Sequence, residues 1–494
     1  MSLFGVDLGT SGVRVVALSA AGTEIAGAAR ATALSRPGPG LVETDAEEVL
    51  AAAAGLLAEV ATHPAVGADP PEAISFSVQG EAVLPVGRNG HALAPAPVSM
   101  DRRGTEVADR VAAELGADRI QHITGQPAHP MFSLYKIASG GPGWTGSAVH
   151  GYRCLGDYVA GRLGARAAMD TSMAARTGAY DVEAGVWSAE LTGAAGVDPD
   201  LLPEVVPAGT VVGTLTAEAA QLTGLPAGLP LIVGSHDQAA AFLGGGGRRG
   251  AISVVSFGSS DCLTVGTAGR PRELTGTGLA SYPMGDGSWL TLAGTAAGGW
   301  ALDWFATLVG VADPAERDAL FEAASAEPPQ VLVLPYFAGS GTLDNDPLAR
   351  GAVVGLTLGT SRADLARAFL ESFGFEIRKI VDALAERDVA VGVVHAVGGG
   401  ARSLRSLAIR ADASGLPLTS VPGHAAARGA ALLAGVGIGR YPSIADLPAP
   451  ECRPAIPPDP VTATWYTAQS RRFRDLYPTL LPHDRSYPHL KEQP

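Results

Sequence analysis

A strand, a turn of glycine and hydroxyl residues, and a second strand occur in that order twice in this chain, about half its length apart. From Leu3 to Leu18 an apolar run enters Gly9-Thr10-Ser11-Gly12 and leaves through Val13 to Leu18, which reads as a β-hairpin. Between Ile252 and Val265, Val254-Val255-Ser256-Phe257 leads into Gly258-Ser259-Ser260 and out through Asp261 to Val265. A unit recurring at this separation points to a fold assembled from two related halves. A ligand lying between two such turns would be gripped from both sides.

Length agrees with that division, since 494 residues exceed what one hydrophobic core supports. The glycine block Gly244 to Gly247, followed by Arg248-Arg249-Gly250, is the expected boundary, giving domains 1–246 and 247–494. Thr44-Asp45-Ala46-Glu47 reads as a capping box opening an Ala-rich helix through about Val60. Ile74 to Val78, Leu229 to Val233 and Val393 to Val397 read as strands, and Leu404, Leu407, Ala408 and Ala411 share one helix face. Strands alternating with helices predict an α/β protein. A net charge of −14 excludes a general nucleic-acid binder, which needs a cationic stripe. Cys154, Cys262 and Cys452 lie too far apart for a zinc cluster or a disulfide framework. No leader and no uninterrupted apolar span is visible, so a cytoplasmic location is expected.

The chemistry-bearing residues cluster at strand ends. In Asp7-Leu8-Gly9-Thr10-Ser11-Gly12-Val13-Arg14, the turn's N–H groups and hydroxyls can cradle phosphate. Asp7 can hold the water shell of Mg2+, and Arg14 supplies charge. An ordinary hairpin turn with a solvated Asp has the same pattern. Gly258 and Ser259 form the matching turn, and Gly398-Gly399-Gly400-Ala401 joins a strand to a helix where a flat ring or a phosphate can approach the backbone. Asp237, in Gly-Ser-His-Asp-Gln after a buried strand, is placed to accept a proton from an attacking hydroxyl, or else to cap the helix behind it. His236 is read as orienting or structural. Gln79, Glu81, Asp101 and Arg102 are the residue types that hydrogen-bond sugar hydroxyls, though Asp101 and Arg102 can equally be a surface ion pair.

In this order, Asp7 to Arg14, Asp101-Arg102, Gly156-Asp157-Tyr158, Gly234 to Gln238, Phe257 to Ser260, Gly398 to Ser403, Ala411-Asp412 and Gly429-Ala430-Ala431 resemble the FGGY carbohydrate kinases over nearly the whole chain. The resemblance implies two ribonuclease-H-like, actin-like ATPase domains flanking an interdomain cleft. It implies ATP and Mg2+ as cofactors, Asp237 as general base, and Gly399, Gly400 and Ala401 along the adenosine site. Gln79, Glu81, Asp101, Arg102 and Gln238 would face a small sugar or polyol. Neither nucleic acid nor membrane is an expected partner, and a homodimer is admissible. Glycerol kinases carry an Arg-Glu pair where this chain has Gly80-Glu81, and xylulokinases a Met-His pair. A family landmark near Pro335-Tyr336 is rewritten as Phe337 to Thr342. A ketopentose such as xylulose or ribulose is the expected acceptor, a polyol the alternative, and a non-catalytic ATP-gated scaffold the rival from another class.

Overall fold

The computed structural model describes residues 1–271, 274–346 and 348–485. Its first sheet contains β1 (Ser2–Gly9), β2 (Gly12–Leu18), β3 (Glu24–Ala31), β4 (Pro71–Val78), β5 (Val211–Thr214) and β6 (Pro230–His236), in the spatial order β5-β6-β4-β1-β2-β3. Its second contains β7 (Ile252–Phe257), β8 (Asp261–Thr267), β9 (Ala280–Pro283), β10 (Trp289–Gly294), β11 (Val393–Val397) and β12 (Leu418–Ser420), in the order β9-β10-β8-β7-β11-β12. Each sheet holds the same motif. A three-stranded antiparallel meander, β1-β2-β3 or β7-β8-β10, continues through two parallel strands, β4-β6 or β11-β12. The recurring hairpins are thus the first two strands of each copy, and the fold is α/β with two related domains.

The helices that position the site are α1 (Ala46–Ala61), α2 (Leu155–Leu163), α3 (Thr171–Ala175), α4 (Asp237–Gly244), α5 (Gly299–Leu308), α6 (Arg362–Ala385), α7 (Leu404–Ser414), α8 (Ala425–Gly437) and α9 (Ala463–Arg485). The start of α1 differs from the capping box read in the sequence. Asp45, not Thr44, is the N-cap, and its carboxylate accepts from the Glu47 and Glu48 amides, because Thr44 is drawn into a short antiparallel pairing with Ala96. On α7, Leu407 and Ala411 are buried while Leu404 is exposed.

The two halves are interleaved rather than merely adjacent. Helix α8, late in the chain, packs its alanines into the core of the first domain beside β1, β4 and β6. Contact there is backbone to backbone. A Cβ on Gly5 of β1 would lie 1.9 Å from the Ala427 carbonyl of α8. One on Gly429 of α8 would lie 1.9 Å from the Ala240 carbonyl of α4, and one on Gly244 1.8 Å from the Ala425 carbonyl. Gly244 is therefore part of a rigid seam, and its carbonyl also accepts from Arg428. The C-terminal helix α9 straps the second domain, burying Tyr466 and Phe473 against Phe375, while the Tyr466 hydroxyl bridges Arg367 and Glu371. Residues 486–494 of that tail lie outside the described residues. Among the described residues no helix is long and apolar enough to cross a membrane.

The seam gives a stability prediction. Gly429→Ala forces a methyl into the α4 backbone and is expected to cost about 3 kcal/mol. Gly161→Ala, in α2 with open space around it, is expected to be neutral or to stabilise by about 0.5–1 kcal/mol through helix propensity. Denaturant titration of both variants checks the contrast.

Candidate active site

The carboxyl ends of the parallel strands β1, β4 and β6 lie side by side at one edge of the first sheet. Asp7 on β1 is buried; its Oδ1 accepts from the Ser77 hydroxyl at 2.9 Å and its Oδ2 faces Arg14 at 3.4 Å. Burial raises its pKa, against the opposing charge of Arg14 and the Ser77 hydrogen bond. The Thr10 hydroxyl of the first turn donates to the side-chain Oε1 of Gln79 at 3.0 Å, so the turn is tied to the residue that follows β4. Gly9 and Thr10 are half-buried, and Ser11 is exposed, at the cleft rim.

The second turn joins β7 and β8, with Gly258 exposed and Ser259 half-buried. The N-terminus of α5 holds it: the Gly298 and Gly299 amides donate to the Ser259 and Gly258 carbonyls, both at 2.8 Å. That leaves the turn's hydroxyls to meet a ligand. Gly398 adopts φ 87°, a left-handed conformation suited to glycine. Gly400 packs so closely on the buried Arg410 that a Cβ would lie 2.8 Å from its Nη1, whereas Gly399 opens on empty space. Ala401 is buried beneath them. The rewritten segment after Tyr336 docks beside this region, with the Thr342 amide donating to the Gly294 carbonyl at the end of β10.

Asp237 opens α4 directly from the end of β6. It is not a cap: His236 is the N-cap residue and no side chain caps the helix. The Asp237 side chain keeps 29% of its surface open at the cleft floor, yet protein encloses it on the other sides. Burial foremost, then the negative charges of Asp7 and Glu81, raise its pKa to about 7, with Arg176 opposing. A carboxylate that exchanges a proton near neutrality is matched to general base work.

Sequence reading missed Arg176, which follows α3 in no recognisable motif. Its Nε donates to Glu81 at 2.5 Å, its Nη1 donates to Gln126 at 2.7 Å, and its guanidinium lies 5.2 Å from the Phe132 ring centre. Glu81 is buried with φ 68°, a conformation a non-glycine residue adopts only when its surroundings impose it. The buried Lys136 helps impose it by donating to the Glu81 carbonyl at 3.2 Å; burial lowers that lysine to about 8.

Asp101 and Gln238 are engaged elsewhere than the sequence suggested. Asp101 accepts from the Val42 amide at 2.7 Å and, through both oxygens, from the amide, Nε and Nη2 of Arg103. Its lone pairs are thereby filled, so it clamps a loop instead of offering a group to a ligand. Arg102, beside it, is exposed and outside that ion pair. Gln238 accepts from the Ser256 hydroxyl of β7 at 2.9 Å, stitching the domains. Gln79 and Glu81 do stand with Asp7 and Asp237 at the strand ends.

Residues 2–244 match the profile described as FGGY family of carbohydrate kinases, N-terminal domain, and residues 253–438 the C-terminal domain of the same family. A glycerol kinase of Aromatoleum aromaticum is 31% identical over 468 residues, covering 90% of this chain and 92% of that protein. A xylulose kinase of Klebsiella pneumoniae is 29% identical over 447 residues, covering 88% and 89%. The crystal structure of xylulose kinase from Rhodospirillum rubrum superposes with a TM-score of 0.86 at 29% identity, covering 98% of this chain and all of that one.

The raised Asp237 carboxyl sets a stability prediction. An unfolded Asp titrates near pH 4, and the folded group near 7. Between those values the native state holds a proton the unfolded chain has released, so this residue's contribution to stability declines from about pH 4 to about pH 7 and stays reduced above. Asp237→Asn is expected to melt higher than the native chain at pH 8, with the gap closing toward pH 4, as read by thermal unfolding across that range.

Proposed function

The chain belongs to the FGGY family of carbohydrate kinases, and from that premise we propose that it moves the γ-phosphoryl group of ATP onto a terminal hydroxyl of a small neutral sugar or polyol, with Asp237 as general base. Asp237 takes the acceptor's hydroxyl proton; that oxygen attacks the γ-phosphorus in line, and the bond to the β-phosphate oxygen breaks to release ADP. The observation that carries this reading is Asp237 itself, partly open at the cleft floor and poised near neutrality between Asp7 and Glu81.

Around it, Gly9, Thr10, Ser11 and Arg14 on one side and Gly258 and Ser259 on the other would bind the phosphates, with Gly399, Gly400 and Ala401 along the adenosine. Among the described residues no cluster of three or more His, Cys, Asp or Glu side chains is arranged as a metal cage. The lone carboxylate of Asp7 fits a cation brought in by ATP and held mainly by phosphates and water. Magnesium bound there would neutralise charge on the transferred group.

A ketopentose acceptor is supported by likeness to the xylulose kinases. One observation favours a glycerol-type polyol instead. The guanidinium of Arg176 pairs with Glu81, and a Cβ on Gly80 would lie 3.2 Å from its Nε, so an Arg-Glu pair stands at this place although the neighbouring position in the chain is glycine.

Coupled ADP release with magnesium-ATP, measured against glycerol, tetritols, xylulose, ribulose and aldoses, tests the proposal. We expect turnover with one or a few acceptors, rising with pH through about 7, and a fall of about 10³-fold or more in Asp237→Asn. Nucleotide binding without turnover on any acceptor would favour the scaffold; full activity in the variant would remove Asp237 as base. Arg176→Met is expected to raise the KM of polyols more than that of ketoses, and an equal rise for both would set aside the glycerol-type reading.

A further inference from the structure

Tyr282 belongs to β9, the edge strand of the second sheet, but its ring lies in the core of the first domain. The strand is pinned there from both flanks. The Ser281 amide donates to the Gly125 carbonyl at 2.7 Å, and the Thr171 hydroxyl donates to the Pro283 carbonyl at 2.9 Å. Between these anchors the Tyr282 hydroxyl meets Nδ1 of His236 at 2.9 Å, and Nε2 of His236 lies 3.2 Å from Oδ1 of Asp237. The tyrosine and histidine rings also meet edge to face, 5.8 Å between centres. His236 is held at its other end by its amide, which donates to the Ser172 hydroxyl at 2.9 Å.

The direction of the Tyr282–His236 hydrogen bond follows from burial. His236 is buried, and burial, with the charge of Arg176 adding, pushes its pKa well below the ordinary imidazole value, so the ring is neutral and carries one N–H. Tyr282 is fully buried, and among the described residues its hydroxyl has no acceptor other than His236 Nδ1. Were Nδ1 the protonated nitrogen, the tyrosine proton would be left without a partner in a dry core, which is costly. The hydroxyl therefore donates to Nδ1. That places the ring proton on Nε2, the nitrogen 3.2 Å from Oδ1 of Asp237, where it meets the carboxylate as a short electrostatic contact rather than as an aligned hydrogen bond.

We propose that Tyr282 and His236 form a positioning relay in which a residue of the second sheet fixes the tautomer of His236 and so orients Asp237 and sets its basicity. The relay rests on Asp237 being the base. Neither relay residue touches the reacting atoms; they act through the carboxylate. The charged and titratable groups facing this line are Asp7, Glu81, Arg176, Asp170 and Cys262. The positive end of the Nε2–H dipole, with Nε2 3.2 Å from Oδ1, favours the ionised carboxylate and offsets part of the burial and of the repulsion from Asp7 and Glu81. The base is in this way tied to the seating of β9 on the first domain.

The test uses the full-length protein with Tyr282→Phe, which keeps the ring, His236→Gln, which keeps an N–H donor near the Nε2 position, His236→Ala, and Asp237→Asn as reference. Acceptor probes are glycerol and D-xylulose, each read as kcat, KM and pH profile. Tyr282→Phe is expected to lose about tenfold in kcat with acceptor KM unchanged and with a lowered melting temperature, since the buried His236 Nδ1 loses its partner. Its acid limb moves to higher pH, since a carboxylate deprived of a donor holds its proton more tightly. His236→Gln is expected to retain more activity than His236→Ala. Without any acceptor, 15N NMR of the histidines, with the His236→Gln spectrum identifying the resonance, is expected to show His236 protonated on Nε2 and to show that preference lost in Tyr282→Phe. Wild-type kcat and acid limb in Tyr282→Phe, with Asp237→Asn inactive, would overturn the relay and leave the base standing. Turnover intact in Asp237→Asn would overturn the base itself. A native His236 protonated on Nδ1, or a tautomer unmoved by Tyr282→Phe, would overturn the relay whatever the kinetics.

Discussion

The contact on which the rest of the molecule depends is the one between α4, α8 and β1, where glycines let three backbones meet without intervening side chains. Gly5, Gly244 and Gly429 each face a carbonyl so closely that a methyl group does not fit. Close approach of this kind removes the slack that longer side chains would take up by changing rotamer. It fixes the helix that carries Asp237 at its N-terminus against the strand that carries Asp7 at its carboxyl end. It also explains why a segment beyond residue 424 belongs physically to the first domain. The glycine block read in the sequence as a boundary begins inside this contact, with the Gly244 carbonyl held by Arg428.

Upon that frame acids and cations gather at the strand ends, with Lys136 beside Glu81 as well. Asp7, Glu81 and Asp237 sit within electrostatic reach of one another, and Arg14 and Arg176 answer two of them. The residue left without a cationic partner is Asp237, and its carboxyl accordingly titrates near 7. Natural cores avoid unpaired buried acids because they cost stability. One retained at the end of β6, beside the first turn, supports the proposed proton-transfer role of Asp237.

The sequence disclosed the parts whose signal is local. Both hairpins, the strand Val393 to Val397, the helix after Gly398 and the α/β alternation are written in short-range periodicity and turn chemistry, and the structure places them accordingly. Asp7, Thr10, Gln79 and Asp237 stand out in the sequence because a chemically loaded residue follows a buried strand, and the structure gathers them at neighbouring strand ends. Less legible were the groups whose role arises only from folding. Arg176 sits in an unremarkable run after a one-turn helix, and nothing near it in the chain says that it reaches Glu81, 95 residues away. Tyr282 reads as one more strand residue. Asp101 misled in the opposite sense: acid beside arginine looks like a ligand pair, yet the guanidinium it binds is the next one along, Arg103, and the backbone of Val42 completes its shell.

The two sheets descend from one plan, but their turns have parted in chemistry. In the first, the hairpin closes directly, Gly9 pairing with Gly12, and the charged residues Asp7 and Arg14 face each other across the strands. In the second, a longer turn intervenes and the residue that closes it is Asp261, buried with its carboxyl raised to about 7 by burial against the pull of Arg410. Arg410 itself is held between Phe257 and Phe373 and donates to the Gly400 carbonyl at 3.2 Å. One copy thus directs its charge into the cleft, while the other spends its charge beneath the turns, shaping the backbone that a nucleotide would lie on. Duplicated scaffolds permit this division because strand order and turn position are fixed by the sheet, whereas the side chains at the strand ends are free to change. It follows that the Glu81–Arg176 pair, held by segments apart from both turns, can change without disturbing them, and the chain is similar to glycerol kinases and xylulose kinases alike.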